Sequence, residues 1–336
     1  MSTDGLNARA AAQLAALSRW HPAETAVWIA AAAALVLFPE RSLLLSEIFV
    51  TALFALSLDL VLGYAGILSL GHAAFFGLGA YVAGIATLHG ATEPVLGLAL
   101  AWAAATALGF ASSFLVLRGS DLTRLMVTLG VALVLYEAAN RLAWLTGGAD
   151  GLQGMEVGPI LGLFEFDLAG EVAAAYSLAV LVLCFLAVRR LVHSPFGWSL
   201  RAVKGNPLRA AAIGIAVNAR LVAAYTAAAG LAGIAGALLA QTTKFVSLDV
   251  LAFHRSADVL LVLVIGGVGW LYGGVIGAVL FKLMQDTIAS ITPQYWQFWI
   301  GLLLVAMVLV GRGRIAGAGR FLAGKRRASV RDAARP

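Results

Sequence analysis

The chain has 336 residues, of which 61% are hydrophobic and 12% charged, with a formal net charge of +6. A soluble domain carries roughly 25% charged residues, so this composition excludes the two soluble domains that length alone would allow. The basic balance does not point to nucleic acid, because the cations sit in short loops and at the C-terminus, as membrane-orientation signals do; the single cysteine, Cys184, excludes an internal disulfide or cysteine metal site.

In chain order, residues 1–22 (MSTDGLNARAAAQLAALSRWHP) lack the short apolar core and small-residue cleavage site of a secretory signal. They read as a cytosolic segment. Residues 23–312 then read as one all-α polytopic transmembrane helix bundle. Apolar runs fall at 24–39, 43–62, 68–89, 94–117, 124–146, 173–191, 221–241, 256–269, 272–290 and 295–311. A hydrocarbon core of about 30 Å needs about 20 residues, so about ten crossings are expected, eight at the least. The eighth run is short, which leaves 256–281 open to a re-entrant hairpin.

Of the 23 Lys and Arg, 18 fall on one side of this alternation and five on the other (Arg41, Arg141, Lys244, Arg255 and Lys282). The richer side is cytosolic by the positive-inside rule, which places both termini inside. Residues 147–172 carry acids and no Lys or Arg, and fall outside; residues 192–220 carry basic residues and no acid, and fall inside. The basic tail, 313–336, is low in large apolar residues and is expected to be disordered in the cytosol.

The stretch GYAGILSLGHAAFFGLGAYVAG, 63–84, holds six glycines in a membrane segment. On a helical wheel Ser69, Ala73, Gly77, Ala80 and Gly84 fall within about 80° of one another, a small-residue stripe suited to close helix approach. Phe75, Leu78 and Val82 fall opposite. Just upstream, Asp59, Gly63, Tyr64 and Gly66 predict a bend, and irregular backbone at membrane depth persists only where protein buries it or water lines it. Gly66 and Gly71, with Gly266, Gly267 and Gly269 of a second glycine-rich bend, are therefore expected to flank a translocation path, with Ser69, His72 and Phe75 on its wall. For the glycines, packing alone is the competing reading. For His72 it is a structural hydrogen bond between helices.

Within 193–220, Ser194 to Gly197 predicts a turn and Ser199 to Val203 a short helix. Gly205-Asn206-Pro207 breaks it, and Pro207 opens the next helix. That helix sets Leu208, Ala211, Ala212 and Ile215 on one face. Such a helix on the cytosolic side suits a groove on a partner, or else the membrane surface.

Residues 56–84 (LSLDLVLGYAGILSLGHAAFFGLGAYVAG) closely resemble the signature of LivM-like permease subunits of branched-chain amino acid ABC importers. TGGADGLQG (146–154), HSPFGWSLRAVKGNPLRAAAIGI (193–215) and GGVGWLYGGVIGAVLF (266–281) resemble that family's outer loop, cytosolic loop and second bend, in the family's order. The resemblance implies a permease fold of the kind shared with sugar and vitamin importers, in the bacterial inner membrane. It also implies a heterodimer with a LivH-like permease, two cytosolic ATPase subunits carrying ATP and magnesium, and a periplasmic binding protein. In that family the cytosolic loop contacts the ATPase, which directs attention to Phe196, Arg201, Lys204, Leu208, Arg209, Ala211, Ala212, Gly214 and Ile215. Relatives often carry acidic residues before the Ala-Ala-x-x-Gly core; here Leu208 and Arg209 stand there.

No Gly-x-x-x-x-Gly-Lys-Ser/Thr loop is present, so ATP hydrolysis is not expected on this chain, and no cofactor is expected to bind it. No metal-spaced histidine cluster or nucleophile elbow occurs either, so the chain is not expected to be an enzyme. The alternative class is an ion-coupled secondary transporter or channel for a small polar solute, which places ionisable groups deep in the bundle. Asp59 near Tyr64, and Glu137 with Asn140 and Arg141, are the candidates for it.

Overall fold

A computed structural model describes residues 22–305 except 168, 296, 297, 300, 303 and 304. The N-terminal segment before Pro22, most of the expected crossing at 295–311 and the tail 313–336 lie outside the described residues. The chain divides into two compact units, one ending at Lys282 and one beginning at Leu283. The core and the site described below lie in the first.

The described chain is helical, with no strand beyond isolated bridges. α1 is Pro22–Leu37, followed by a 3-10 turn at Pro39–Arg41. α2 is Ser42–Asp59 and is continued by a π-helical turn, Leu60–Ala65. Then come α3 (Ala73–Leu88), α4 (Pro94–Val116), α5 (Asp121–Arg141), the short α6 (Ala143–Thr146), α7 (Glu171–Val192), α8 (Pro195–Gly205), α9 (Pro207–Ala212) and α10 (Val217–Thr243). A 3-10 turn at Leu248–Leu251 leads to α11 (Phe253–Gly266) and α12 (Leu271–Ile291). Among the described residues, six helical segments are long and apolar enough to cross a membrane: Pro39–Ala65, α4, α5, α7, α10 and α12. α1 and α3 are apolar but shorter.

Burial sorts these helices into centre and periphery. The apolar stretch of α2 is 89% buried and that of α10 72%, against 28% for α4 and 11% for α5. α2, α3 and α10 therefore make the core, while α4 and α5 turn Trp102, Phe110, Met126 and Val134 outward. Lipid is as apolar as these side chains, so such faces carry no penalty in a bilayer.

The core is built on close backbone approach. A Cβ on Gly79 of α3 would collide with the backbone of Gly233 on α10, and one on Gly236 would collide with the carbonyl of Phe76. On its other side α10 meets α4 just as closely: a Cβ on Gly233 would strike Ala105, and one on Gly109 would strike Ala229. With no hydrophobic drive between helices in lipid, dispersion over such small-residue seams holds the bundle together. The expected stripe on α3 is a packing face: Gly77 lies against Leu251, and Gly84 against Leu152 and Met155.

Two sequence expectations change. The helix expected from 68 begins only at Ala73, because residues 66–72 are unwound; Gly66 adopts a left-handed conformation (φ +75°), and Gly71 is pressed against the Thr128 carbonyl of α5. Ser69 therefore precedes the helical stripe. Phe75, opposite the stripe, is buried and packs edge-to-face with the Tyr225 ring, centroids 5.5 Å apart. Ser194–Gly197 is not a free turn, because Pro195 opens α8 at its first position, where a missing N–H is harmless.

The segments that the charge count places outside meet one another. Leu152 and Val246 exchange backbone hydrogen bonds (2.7 and 3.2 Å), and Gly158 N–H donates to the Thr92 carbonyl at 2.9 Å. The Leu161 N–H donates to Glu93 Oε1 at 2.9 Å. At the opposite end the π turn, α8 and the α11–α12 connection converge.

Candidate functional site

That convergence follows from how α2 ends. The Gly66 N–H and the Ile67 N–H both donate to the Val61 carbonyl. A helix end leaves its last carbonyls unpaired, and this closure spends two donors on one of them. The Gly63 carbonyl is taken from elsewhere: Lys204 Nζ of α8 donates to it at 2.6 Å. The lysine stem runs over Gly66, with Cγ 3.0 Å from where a Cβ would stand, while its outer flank stays open to solvent. One residue on, the Arg201 guanidinium lies 5.2 Å from the centroid of the Tyr64 ring and 4.6 Å from that of Trp198. Two cations thus sit at the negative end of α2, where the helix dipole favours them. A charge-assisted bond of this kind contributes about 1.5–3 kcal/mol when shielded, and less where water reaches it.

Asp59 completes the junction. It is buried, and its Oδ1 accepts the Gly269 N–H at 2.7 Å. Gly269 (φ +79°) belongs to the sharp connection from α11 to α12, so the carboxylate lies just before a helix N-terminus, where negative charge is favoured. Gly63 allows all this, because a Cβ there would strike Asp59 Oδ1 and stand 2.7 Å from the Gly269 nitrogen. Asp59, Tyr64, Gly66 and Gly269, expected near the path, and Arg201 and Lys204, expected in the cytosolic loop, are therefore neighbours. Gly266 and Gly267 lie close by, packed against Gly273 of α12.

Ser69, His72 and Phe75 lie apart from this junction, fully enclosed within the bundle. His72 shares a hydrogen bond with Ser57 of α2 (2.9 Å) and stacks on Phe54. This is the interhelical contact of the competing reading. Two partners here had not been singled out from the sequence. Ser57 is one. The other is Ser256 of α11, whose hydroxyl accepts the Ala73 N–H at 2.9 Å and satisfies one of the donors left open at the start of α3. For Ser57 the signal was a serine inside an apolar run; Ser256, among His254, Arg255 and Asp258, carried no such signal. Gln241 of α10 was likewise missed; it donates to the Pro94 carbonyl at 2.8 Å and accepts from Tyr176 at 3.2 Å, tying three helices.

The rest of the cytosolic loop divides by face. Leu200 and Val203 of α8 are buried, and Phe196 is covered by the Arg220 guanidinium, 5.3 Å from its ring centroid. α9 is capped by Asn206, whose side chain accepts the Arg209 N–H at 3.0 Å. Beyond that cap Leu208, Arg209, Ala211, Ala212 and Gly214 are exposed and Ile215 is half-buried. Leu208 is 82% exposed and Ile213 75%, an apolar surface at an end that the charge count places in water.

Comparison with known proteins bears on this arrangement. A sequence model of the family described as branched-chain amino acid transport system / permease component matches residues 40–308. The high-affinity branched-chain amino acid transport system permease protein LivM of Escherichia coli is 26% identical over 278 residues, covering 76% of this chain and 65% of that protein. LivM of Salmonella typhimurium is 27% identical over the same length and shares. The autoinducer 2 import system permease protein LsrC of an Enterobacter species is 29% identical over 253 residues, 72% of this chain and 70% of LsrC. The chain thus spans just under two thirds of the length of the LivM proteins it matches. No solved structure matches.

Proposed function

The chain belongs to the family of permease components of branched-chain amino acid transport systems, and from that premise we propose that it forms half of the translocation path of an ATP-driven importer for branched-chain amino acids. As a family member built of long apolar helices, it is a multi-pass inner-membrane protein. The observation that carries the importer reading is the exposed apolar face of α9, held out by the Asn206 cap beside the junction of α2, α8 and the α11–α12 connection. A chain without a nucleotide-binding loop needs its ATP and magnesium on separate subunits, and α9 offers them a surface. A LivH-like second permease and a periplasmic binding protein complete the proposed complex.

The orientation proposed is cytosolic at both termini, with about ten crossings. It is supported by the meeting of the cation-rich segments at one end of the bundle and of the cation-poor ones at the other. The translocation path is proposed to run beside the unwound 66–72 segment and the Gly266–Gly269 connection, with Gly66, Gly71 and Gly269 allowing backbone to line it. Cargo is proposed from the LivM relatives; LsrC, whose name gives a different cargo, is also similar, and selectivity is proposed to rest mostly with the binding protein. For an ion-coupled carrier, the candidate groups are otherwise engaged: Asp59 holds the Gly269 N–H, and Glu137 pairs with Arg141 on an exposed face at 2.6 Å.

The test is co-purification. Ala212→Asp puts a charge into the proposed contact without touching the bundle. Burying it unpaired costs several kcal/mol at an interface, each 1.4 kcal/mol being about tenfold in affinity. The variant is expected to reach the membrane at normal abundance and to lose the ATPase. Full ATPase recovery with wild-type transport removes α9 from the docking surface.

A further inference from the structure

Lys204 belongs to the loop assigned to docking, yet its ammonium points the other way, onto the Gly63 carbonyl. That carbonyl has two possible partners along the chain's own geometry. In a continuing α-helix it would accept the Ile67 N–H, four residues on. Here the Ile67 N–H is instead drawn to the Val61 carbonyl, at 3.0 Å, and the bend closes through the left-handed Gly66. The Gly63 carbonyl therefore keeps this partner only while Lys204 is seated. π-helical turns are rare and frequently sit at functional sites, and a glycine at 66 crosses between left- and right-handed backbone without steric cost.

We infer that Lys204 is a positioning residue that couples movement of α8 to the end of α2: seated, it holds the bend; withdrawn, it releases the Gly63 carbonyl to the Ile67 N–H and α2 lengthens. The same junction passes the change on, because Gly63 abuts Gly269 and Asp59 holds the Gly269 N–H at the start of α12. Arg201 on the Tyr64 ring guides α8 along the same helix end. This inference rests on the reading of the chain as an ATP-driven importer, and assigns α9 to docking and Lys204 to transmission within it.

The experiment uses the complete reconstituted complex and reads three quantities: ATPase retained on purification, ATP hydrolysed, and substrate moved per ATP. Lys204→Met preserves the stem over Gly66 and removes the donor; Lys204→Arg restores a donor; Arg201→Leu loosens the same joint at a second place. With Lys204→Met the ATPase is expected to stay bound and to hydrolyse ATP, while substrate moved per ATP falls about tenfold, the order that one charge-assisted hydrogen bond supports. Lys204→Arg recovers most of that ratio, and Arg201→Leu lowers it. An unchanged ratio in Lys204→Met and Arg201→Leu overturns the transmission role, as does loss of the ATPase from Lys204→Met, which would make Lys204 a docking contact. Failure of the importer reading looks different: the wild-type complex itself would move substrate without ATP.

Discussion

Gly236→Leu is expected to prevent α3 and α10 from docking and to leave no stable bundle. A Cβ at this position would overlap the Phe76 carbonyl oxygen and stand 2.9 Å from the Ala80 nitrogen. Both are backbone atoms of a helix that is itself buried, so no side chain can swing aside. Inserting even a methylene or two into a packed core costs about 1–3 kcal/mol, and four carbons at a backbone crossing exceed what repacking absorbs. Gly130→Leu is the control, because that α5 glycine has nothing within 4 Å of an added Cβ and leucine is the better helix former. Thermal stability of the purified variants, followed by retention of the monodisperse peak on heating, separates the two. Comparable stability for Gly236→Leu and Gly130→Leu would contradict a core held by glycine seams.

The second large effect is expected at Gly63. A valine there places a branched carbon where Asp59 Oδ1 now lies and crowds the Gly269 nitrogen. The carboxylate must leave its donor while remaining buried, and a buried polar group without its partner costs several kcal/mol. The π turn and the α11–α12 connection should separate, and transport should fall by about two orders of magnitude. The milder Gly66→Ala is expected to cost about 1 kcal/mol, the price of a left-handed alanine, with partial activity. The measurements are membrane abundance, thermal stability and initial uptake rate. Wild-type stability and uptake in Gly63→Val would show that the three segments do not depend on one another.

Much of this architecture was legible in the sequence because lipid imposes a strong rule: apolar runs long enough to span become helices, and glycine spacing marks where they touch. The α3 stripe at Ala73, Gly77 and Gly84 and the break near Gly66 follow from that rule. The extent of the break does not. Residues 66–72 are unwound, and within them Gly71 meets Thr128, a partner 57 positions away whose approach no local pattern announces. Lys204 and Arg201 were expected at a partner surface as basic residues of a cytosolic loop. Within the chain Lys204 also meets the Gly63 carbonyl left over by the π turn and Arg201 the Tyr64 ring, contacts that are a property of the folded helix end. His72 shows the same limit: the sequence offered a path wall or a hydrogen bond between helices, and only the packing of Ser57 and Phe54 gave it neighbours.

The most direct test of the importer reading is uptake of radiolabelled leucine into proteoliposomes carrying the chain with its permease partner, with and without the ATPase subunits and binding protein. Accumulation is expected only with the full set and hydrolysable ATP, and should be indifferent to collapse of proton and sodium gradients. Uptake driven by an ion gradient in the absence of the ATPase would contradict it and make the chain a secondary carrier.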